Sequence, residues 1–336
     1  MKNKMGLFLS TILLISCAIA VSAQESPLGS SVEASRRYSN NYAEIVRAAL
    51  PKADAAMLTK LLANVRAAAA EEKPLAIADP RQFEKTFGLR ERGQADASGY
   101  LDVGEAVYRV DAERQRFYLV RRYADAQPVP RKEFERELKA IQQSHRQFTE
   151  QVGFPSKEIF FTDFREILSE TDGHPELEKG VKGEIMSAGA VTTVLRTVGG
   201  IMVEGSYLRL SSIDAKRLEL MDLRWPAIRL SAPTLRKGLR SPADSIPAIT
   251  KRIAAESKGQ PVNVRMAIVL RPVMATPTAR ATEFVPSLKV GVVPQAVKTE
   301  GGYRTDAGEE FFIDLIKGAP AFADPVTADT LQEAKQ

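Results

Sequence analysis

The 336-residue sequence has little cysteine and little histidine, namely Cys17, His145 and His174. Because Cys17 lies inside an N-terminal apolar segment, no disulfide is expected within the folded part. A transition-metal site needs several ligands of these two types, so the composition does not favour one. Serine-elbow, zinc-protease, phosphate-loop and dinucleotide motifs are also missing. We therefore predict no catalytic, cofactor-binding or metal-binding residues, and we favour a binding protein over an enzyme.

The sequence also lacks a strong charge of one sign. Lys and Arg total 47 against 42 Asp and Glu, which gives a net charge of +5. This excess is too small to indicate a nucleic-acid partner. Hydrophobic residues make up 44% and charged residues 26%, as in ordinary globular proteins, which excludes wholesale disorder and a membrane protein of many spans. The composition predicts no particular oligomeric state.

The first 23 residues have the pattern of a bacterial export signal. Lys2 and Lys4 precede the apolar run Met5–Ala20, and Val21-Ser22-Ala23 follows it. We expect cleavage after Ala23 and a periplasmic or extracellular protein. The apolar run has about 16 residues, fewer than the roughly 20 that span a bilayer, so no transmembrane helix is expected after cleavage.

A second interpretation of the leader involves its cysteine. Leu14-Ile15-Ser16-Cys17 resembles a bacterial lipobox, in which the chain is cut before the cysteine and the thiol carries a lipid. Ala18–Ala23 would then form an unusually apolar tether. Lipidation at Cys17, which would make the protein a structural envelope lipoprotein, is therefore kept as the alternative.

The rest of the chain predicts an α+β fold. Residues 24–35 are small or polar and form a flexible tether, and residues 36–73 have two sets of apolar positions at helical spacing, which indicates a helical hairpin. Residues 74–230 predict an α+β module, residues 231–319 a second β-rich segment, and residues 320–336 a disordered tail. The hairpin is thus followed by one or two modules of a helix packed on an antiparallel β-meander.

The clearest elements lie in the middle of the chain. An apolar stripe predicts one long helix over Arg131–Val152. Val191–Val198 and Ile201–Ser211 flank Gly199-Gly200, the dipeptide that suits a two-residue hairpin turn. Arg217–Trp225 predicts the third strand of the meander, and the proline-rich stretch 232–247 predicts a loop.

Three groups of side chains are candidates for a functional site. His145 lies on the apolar stripe of the long helix, where we expect a half-buried, hydrogen-bonded residue. Trp225 is expected to close the edge of the core. A basic concentration is expected to be a solvated strand face, with Phe117 and Leu119 pointing inward; its members are Arg114, Arg116, Arg121, Arg122, Arg131 and Lys132.

The segment Val194-Leu195-Arg196-Thr197-Val198-Gly199-Gly200-Ile201-Met202-Val203-Glu204-Gly205-Ser206 resembles part of PepSY and fungalysin/thermolysin-propeptide-like modules. In those modules a strand with Arg leads into a Gly-Ile-x-Val-x-Gly-Ser hairpin, and Leu218–Pro226 is similar to the strand that follows. The resemblance covers about residues 131–226. It implies a helix packed on a curved antiparallel sheet and a task of binding or inhibition. No metalloprotease domain follows, which departs from the propeptide pattern.

If the resemblance holds, the hairpin captures an extended partner segment by strand addition. The expected partner is another exported protein, either a peptide or a protease. The residues predicted to form this surface are Ile201, Val203, Tyr207, Leu208 and Leu210. A carboxylate-dependent hydrolase is the rival, and clustered carboxyl groups of raised pKa would favour it.

Overall fold

The structure is a computed structural model that describes residues 38–89, 95–123, 127–170, 185–273, 283–299, 302–304 and 308–322. The predicted export signal with Cys17, the predicted tether, His174 and most of the predicted tail lie outside these residues. The described part contains helices and β-strands arranged as an α+β fold, as the sequence predicted.

The helices are α1 (Tyr42–Ala49), α2 (Ala55–Ala70), α3 (Pro80–Thr86), α4 (Arg131–Gln151), α5 (Ala232–Arg236) and α6 (Ile246–Ser257). The first strands are β1 (Leu101–Asp102), β2 (Ala106–Asp111), β3 (Arg116–Arg121), β4 (Val129–Pro130), β5 (Ile159–Glu170), β6 (Ile185–Val198) and β7 (Ile201–Ser212). The later strands are β8 (Leu218–Arg224), β9 (Arg229–Leu230), β10 (Val262–Val273), β11 (Glu283–Pro294), β12 (Val297–Thr299), β13 (Gly302–Arg304) and β14 (Glu309–Asp314). Among the described helices, none is both long enough and apolar enough to cross a membrane.

The described chain forms two compact units that are discontinuous in sequence. Unit 1 contains Pro74–Leu195 and Tyr207–Trp225. Unit 2 contains the helices α1 and α2, Arg196–Ser206, and the chain from Pro226 onward. The predicted segment 74–230 therefore contributes residues to both units.

Unit 1 is built on antiparallel strands in the order β1, β2, β3, β8 and the second half of β7. Alternate residues of these strands point to one side and are buried together with α3. Phe83 of α3 stacks on Tyr108 and Phe117 of this core. The alternate side chains on the opposite side of these strands are half-buried or exposed.

The long helix α4 confirms the helix predicted from the apolar stripe. Phe134, Ile141 and His145 are its buried residues. The helix ends at Val152 because Gly153 takes a positive φ of 73° and Pro155 follows. Phe134 and Ile141 pack with Ala190 of β6, so the helix covers part of the β6 strand.

Unit 2 centres on the long antiparallel pair of β10 and β11, and β14 pairs with β11. The first half of β7 runs parallel to β10, with Met202 opposite Val269 and Val203 opposite Leu270. Buried residues of α1, α2 and α6 pack with these strands in one hydrophobic cluster. The Asp54 side chain caps α2 by accepting a hydrogen bond from Met57 N at 2.7 Å.

The hairpin between β6 and β7 has the predicted two-residue turn. Gly199 and Gly200 both have positive φ, 58° and 87°, which non-glycine residues rarely adopt. A Cβ on Gly199 would lie 2.4 Å from Val65 N of α2. The turn is therefore held against the helix in a way that only glycine allows.

Two predicted segments differ from the structure. The sequence predicts one strand over Tyr100–Val110, because this run is rich in aromatic and β-branched residues, but Gly104 at φ 81° divides it into β1 and β2. The stretch 232–247 was expected to be a loop, yet it contains α5 and a 3-10 turn at Pro242–Ser245. That turn forms because Ser241 and Asp244 bond reciprocally to each other's backbone.

Candidate functional site

The strand-addition surface predicted from sequence is not available in the folded chain. Ile201 and Val203 are 0% and 2% exposed in the core of unit 2, and Leu208 and Leu210 are both 0% exposed in the core of unit 1. The strand itself is paired with β6 and β8, and with β10 at its start. β7 therefore has no free edge for strand addition, and these four side chains are not accessible to a partner. Tyr207 alone of the five is only half-buried.

Tyr207 lies on the opposite side of the unit 1 sheet, where the alternation of the strands collects arginines and tyrosines. Along each strand, the side chains that point toward the core are buried, and the alternate side chains, which point to this opposite side, are half-buried or exposed. We call this surface the arginine–tyrosine face. It consists of Arg109, Asp111, Arg116, Tyr118, Tyr207, Arg209, Asp222 and Arg224.

The strand register arranges these residues in two rows across four strands. One row runs Asp111, Arg116, Arg224, Tyr207, each opposite the next. The other row runs Arg109, Tyr118, Asp222, Arg209 in the same strand order. Each of the strands β2, β3, β8 and β7 thus contributes one arginine to the face.

The two carboxylates of the face are already engaged by several donors. Asp111 Oδ2 lies 3.4 Å from Arg109 Nη2 and 3.4 Å from Arg114 Nη1. Asp222 Oδ2 accepts a hydrogen bond from the Tyr207 hydroxyl at 2.6 Å, and its Oδ1 lies 3.5 Å from Arg224 Nε. The Arg224 guanidinium also lies 5.2 Å from the centre of the Tyr207 ring.

Arg116 lies directly opposite Asp111 on β2, but that carboxylate is paired with Arg109 and Arg114. Within the part of the chain that the structure describes, no side chain forms an ion pair or hydrogen bond with the Arg116 guanidinium. Arg224 lies directly opposite it on β8, an arrangement that like charges disfavour. Burial, together with the charges of Arg224, Arg114 and Arg109, lowers the pKa of Arg116, and the charge of Asp111 acts in the reverse direction. The fold therefore holds a half-buried cation beside a second arginine, and only the shared carboxylate of Asp111 offsets its charge.

The tyrosines of the face are kept in their neutral form. Burial and the hydrogen bond to Asp222 raise the pKa of Tyr207 to about 12. Burial also raises the pKa of Tyr118, with smaller effects from Tyr100 and Asp222. The Tyr100 ring packs edge-on against Tyr118 at 5.6 Å, and the Arg109 guanidinium lies 5.5 Å from the Tyr100 ring centre. The face thus combines cations with neutral aromatic hydroxyls.

The residues of the predicted basic concentration do not form one surface in the structure. Phe117 and Leu119 are buried, which confirms the inward direction expected for them. Arg122 pairs with Asp102 at 2.8 Å, Arg131 pairs with Glu166 at 3.0 Å, and Arg121 bonds the Phe87 carbonyl. Sequence reasoning missed Arg109, Arg209 and Arg224 as partners of Arg116. Their outward positions follow from alternation, but strand order was needed to bring them together.

A second polar cluster surrounds His145. Its Nδ1 lies 2.7 Å from Thr192 Oγ1 and its Nε2 lies 2.8 Å from Ser212 Oγ. The side chain is 3% exposed, and burial lowers its pKa to about 4, so the imidazole is neutral near pH 7. This confirms the hydrogen-bonded histidine predicted from sequence and shows it to be more deeply buried than expected.

The arrangement of Ser212 and His145 has the spacing of a nucleophile and a base, and a cleft of about 80 Å³ borders both residues. An acyl-transfer site also needs backbone N–H groups for an oxyanion. In the adjacent turn those groups are already bonded: Ile213 N to the Arg217 carbonyl, Ala215 N to Glu137, and Lys216 N and Arg217 N to Asp214. The cluster therefore acts as a satisfied buried network.

Two further predictions concern Trp225 and metal ions. Trp225 is 3% exposed, packs edge-on against Phe154 at 4.6 Å and donates its indole N–H to Glu158, so it closes the core as predicted. In the described ranges no three His, Cys, Asp or Glu residues are grouped so that they could hold a metal ion.

Comparisons with known proteins give little similarity. The sequence matches no protein-family model and no curated protein. A crystal structure of an uncharacterized protein from Eubacterium rectale ATCC 33656 is similar to this chain with a TM-score of 0.42 and 8% sequence identity. The match covers 79% of this chain and 81% of that chain.

Proposed function

We propose that this chain is an exported bacterial binding protein without catalytic activity, which captures an anionic segment of another exported protein through the arginine–tyrosine face. The observation that carries the proposal is the half-buried Arg116 beside Arg224, with no ion pair of its own among the described residues. A half-buried cation opposite a like charge lowers stability, and such features persist where a ligand supplies the missing charge. The residue types support this, because arginine and tyrosine are enriched where proteins bind one another.

The export and architecture parts of the proposal come from the sequence. We propose a signal peptide that ends at Ala23 and a location in the periplasm or outside the cell. We also propose that residues 36–73 form a helical hairpin, followed by one or two modules of a helix on an antiparallel meander. The resemblance of residues 131–226 to PepSY-like modules supports a binding or inhibitory task for such a protein.

The proposal is tested by capture with matched variants. Immobilised residues 24–336 are exposed to the envelope fraction and culture fluid of the producing cell, and the retained proteins are identified by mass spectrometry. The wild-type chain should retain a protein that the Arg116→Glu and Arg224→Glu variants release. The control is Arg236→Glu, an exposed charge reversal in unit 2, which should leave retention unchanged. Equal retention by all four proteins would exclude the arginine–tyrosine face as the binding surface.

A second candidate function is the carboxylate-dependent hydrolase. The observation that favours it is a pair of carboxyl groups in unit 2: partial burial and the neighbouring Glu309 raise the pKa of Glu256. Arg252 pairs with both residues. Hydrolysis of chromogenic glycosides by the wild-type chain, lost in both Glu256→Gln and Glu309→Gln, would establish this activity in place of the binding role.

A further inference from the structure

We propose that the segment captured by the arginine–tyrosine face is an extended acidic peptide, which crosses the four strands and presents carboxylates at alternate residues. This inference rests on the proposed function and adds the chemistry and direction of the captured segment. It follows from the spacing of the charges on the sheet.

The four arginines form a bent line that crosses the strands, because the inner two lie in one row and the outer two in the other. Arg109, Arg116, Arg224 and Arg209 lie on β2, β3, β8 and β7, which are consecutive neighbours in unit 1. Neighbouring strands are about 4.8 Å apart, so the line is about 15 Å long. In an extended peptide alternate side chains lie on the same side, about 7 Å apart. A peptide of about five residues therefore spans the line and places three carboxylates against it.

The carboxylates of the face favour alternate rather than continuous negative charge in the ligand. Asp222 lies between Tyr118 and Arg209 in its row, and Asp111 lies at the end of the other row. A ligand charged at every unit would place some charges next to these carboxylates and be repelled. A peptide with uncharged spacers carries fewer charges along the rows, so fewer of its carboxylates lie next to Asp111 and Asp222.

An apolar row beside the arginines gives the spacer residues a place to pack. Val107, Val120 and Leu220 lie opposite one another on β2, β3 and β8, two residues along from the row of Arg109 and Tyr118. All three are half-buried on the same side of the sheet. Contact with such a row suits a peptide that carries small apolar or hydroxyl side chains, and it offers nothing to a uniformly sulfated or phosphorylated chain.

The inference is tested with two acetylated peptides of equal composition and charge. The first alternates Glu with Thr over five residues and the second has the same three Glu in one block. Binding to residues 24–336 is measured by calorimetry at low salt. The alternating peptide should bind at least about tenfold more tightly than the block peptide, because only its carboxylates all lie on one side of an extended chain and can face the arginines together.

Charge-matched variants separate the site from net charge. Arg116→Gln/Arg209→Gln removes two positive charges from the face, and neither residue has an ion-pair partner among the described residues. Arg236→Gln/Lys237→Gln removes two from an exposed segment of unit 2. The affinity of the first variant for the alternating peptide should be lower by about tenfold or more, and the second variant should bind the peptide as the wild type does. Arg116→Gln alone should melt at the same or a higher temperature, because it removes the contact with Arg224; a lower melting temperature would mark Arg116 as structural.

The remaining outcomes distinguish the inference from the proposed function. Equal affinity for both peptides would overturn the alternate-carboxylate inference. Tighter binding of a sulfated hexasaccharide than of the alternating peptide would also overturn it, and would assign the face to an anionic glycan. If neither peptide binds while Arg116→Glu still releases the retained protein, the inference fails and the proposed function stands. If Arg116→Glu retains that protein, the proposed function fails as well.

Discussion

At the scale of single residues, His145 shows how burial determines a protonation state. The ring is enclosed by α4, β6 and the end of β7, and its two nitrogens are satisfied by Thr192 and Ser212. Burial disfavours the charged form, and neither hydroxyl neutralises a charge. The histidine therefore contributes to the fold as a neutral hydrogen-bonding group.

This state predicts a pH-dependent stability. The folded pKa is about 4, against 6.5 for an ordinary histidine, so between these values the unfolded chain binds a proton that the folded chain does not. The free energy of unfolding should fall as the pH falls from 6.5 to 4, by about 3 kcal/mol in total. Urea titrations at several pH values measure it. His145→Gln should lose this part of the pH dependence, and equal slopes for both proteins would contradict the assignment.

The buried ion pair of Arg196 and Glu72 gives a second prediction at this scale. The Arg196 side chain is 0% exposed, and it pairs with Glu72, which also accepts a hydrogen bond from Ile228 N at 2.9 Å. Glu72→Ala leaves the buried guanidinium without its carboxylate and should cost about 3–5 kcal/mol of unfolding free energy. The double variant Glu72→Ala/Arg196→Met should cost less than the single one, as urea denaturation can measure. A larger cost for the double variant would show that Arg196 stabilises the fold without Glu72.

At the scale of elements, the β6–β7 turn depends on two glycines that differ in their surroundings. Gly200→Ala meets only the Leu61 side chain at 3.8 Å, so it should cost about 1–2 kcal/mol for its positive φ. Gly199→Ala meets the α2 backbone at Val65 and should cost clearly more, about 3 kcal/mol or above. Denaturation of the two variants side by side measures the difference. Equal costs would show that α2 yields to the added methyl group.

Elements whose signal is local were predictable from sequence. The stripe of α4, the glycine turn and the alternation of β10 each depend on residues close together in the chain, so their patterns are complete within one segment. β5 was ambiguous because a short apolar run suits either a strand or a helix, and pairing with β6 makes it a strand.

The candidate site was not predictable in the same way. Alternation shows that Arg116 and Arg224 point outward, but it does not show that β3 and β8 are neighbours. The hydrophobic positions of β7 were taken for a binding surface because one sequence cannot tell an inward row from an exposed one. Both errors concern contacts between distant segments, which local patterns do not contain.

At the scale of the whole molecule, the leader gives a prediction that needs no structure. Cys17 is the single cysteine of the chain. Protein purified from the producing cell should begin at Gln24 and contain no thiol, as intact mass and a thiol titration would show. A mass that includes Cys17 with an attached lipid would instead establish the envelope lipoprotein. The disulfide-free fold should also unfold identically with and without reductant.

Under the proposed function, the small net charge of the molecule means that the binding energy comes from the arginine–tyrosine face and not from the field of the whole protein. With an excess of only +5, the chain as a whole attracts anions weakly. Four arginines on neighbouring strands create a local positive surface that this total does not reveal. Selectivity is therefore expected to follow the spacing of charges in the ligand.

The discontinuous units fix the order in which the chain can complete its fold during synthesis. Unit 1 is complete once Trp225 has left the ribosome, whereas unit 2 needs β10, β11 and β14. The helices α1 and α2 are made first, yet most of the strands they pack on are made last. A nascent chain that stops before β10 can therefore pack these two helices only on the β6–β7 hairpin, and such a product is a natural target for chaperones and proteases.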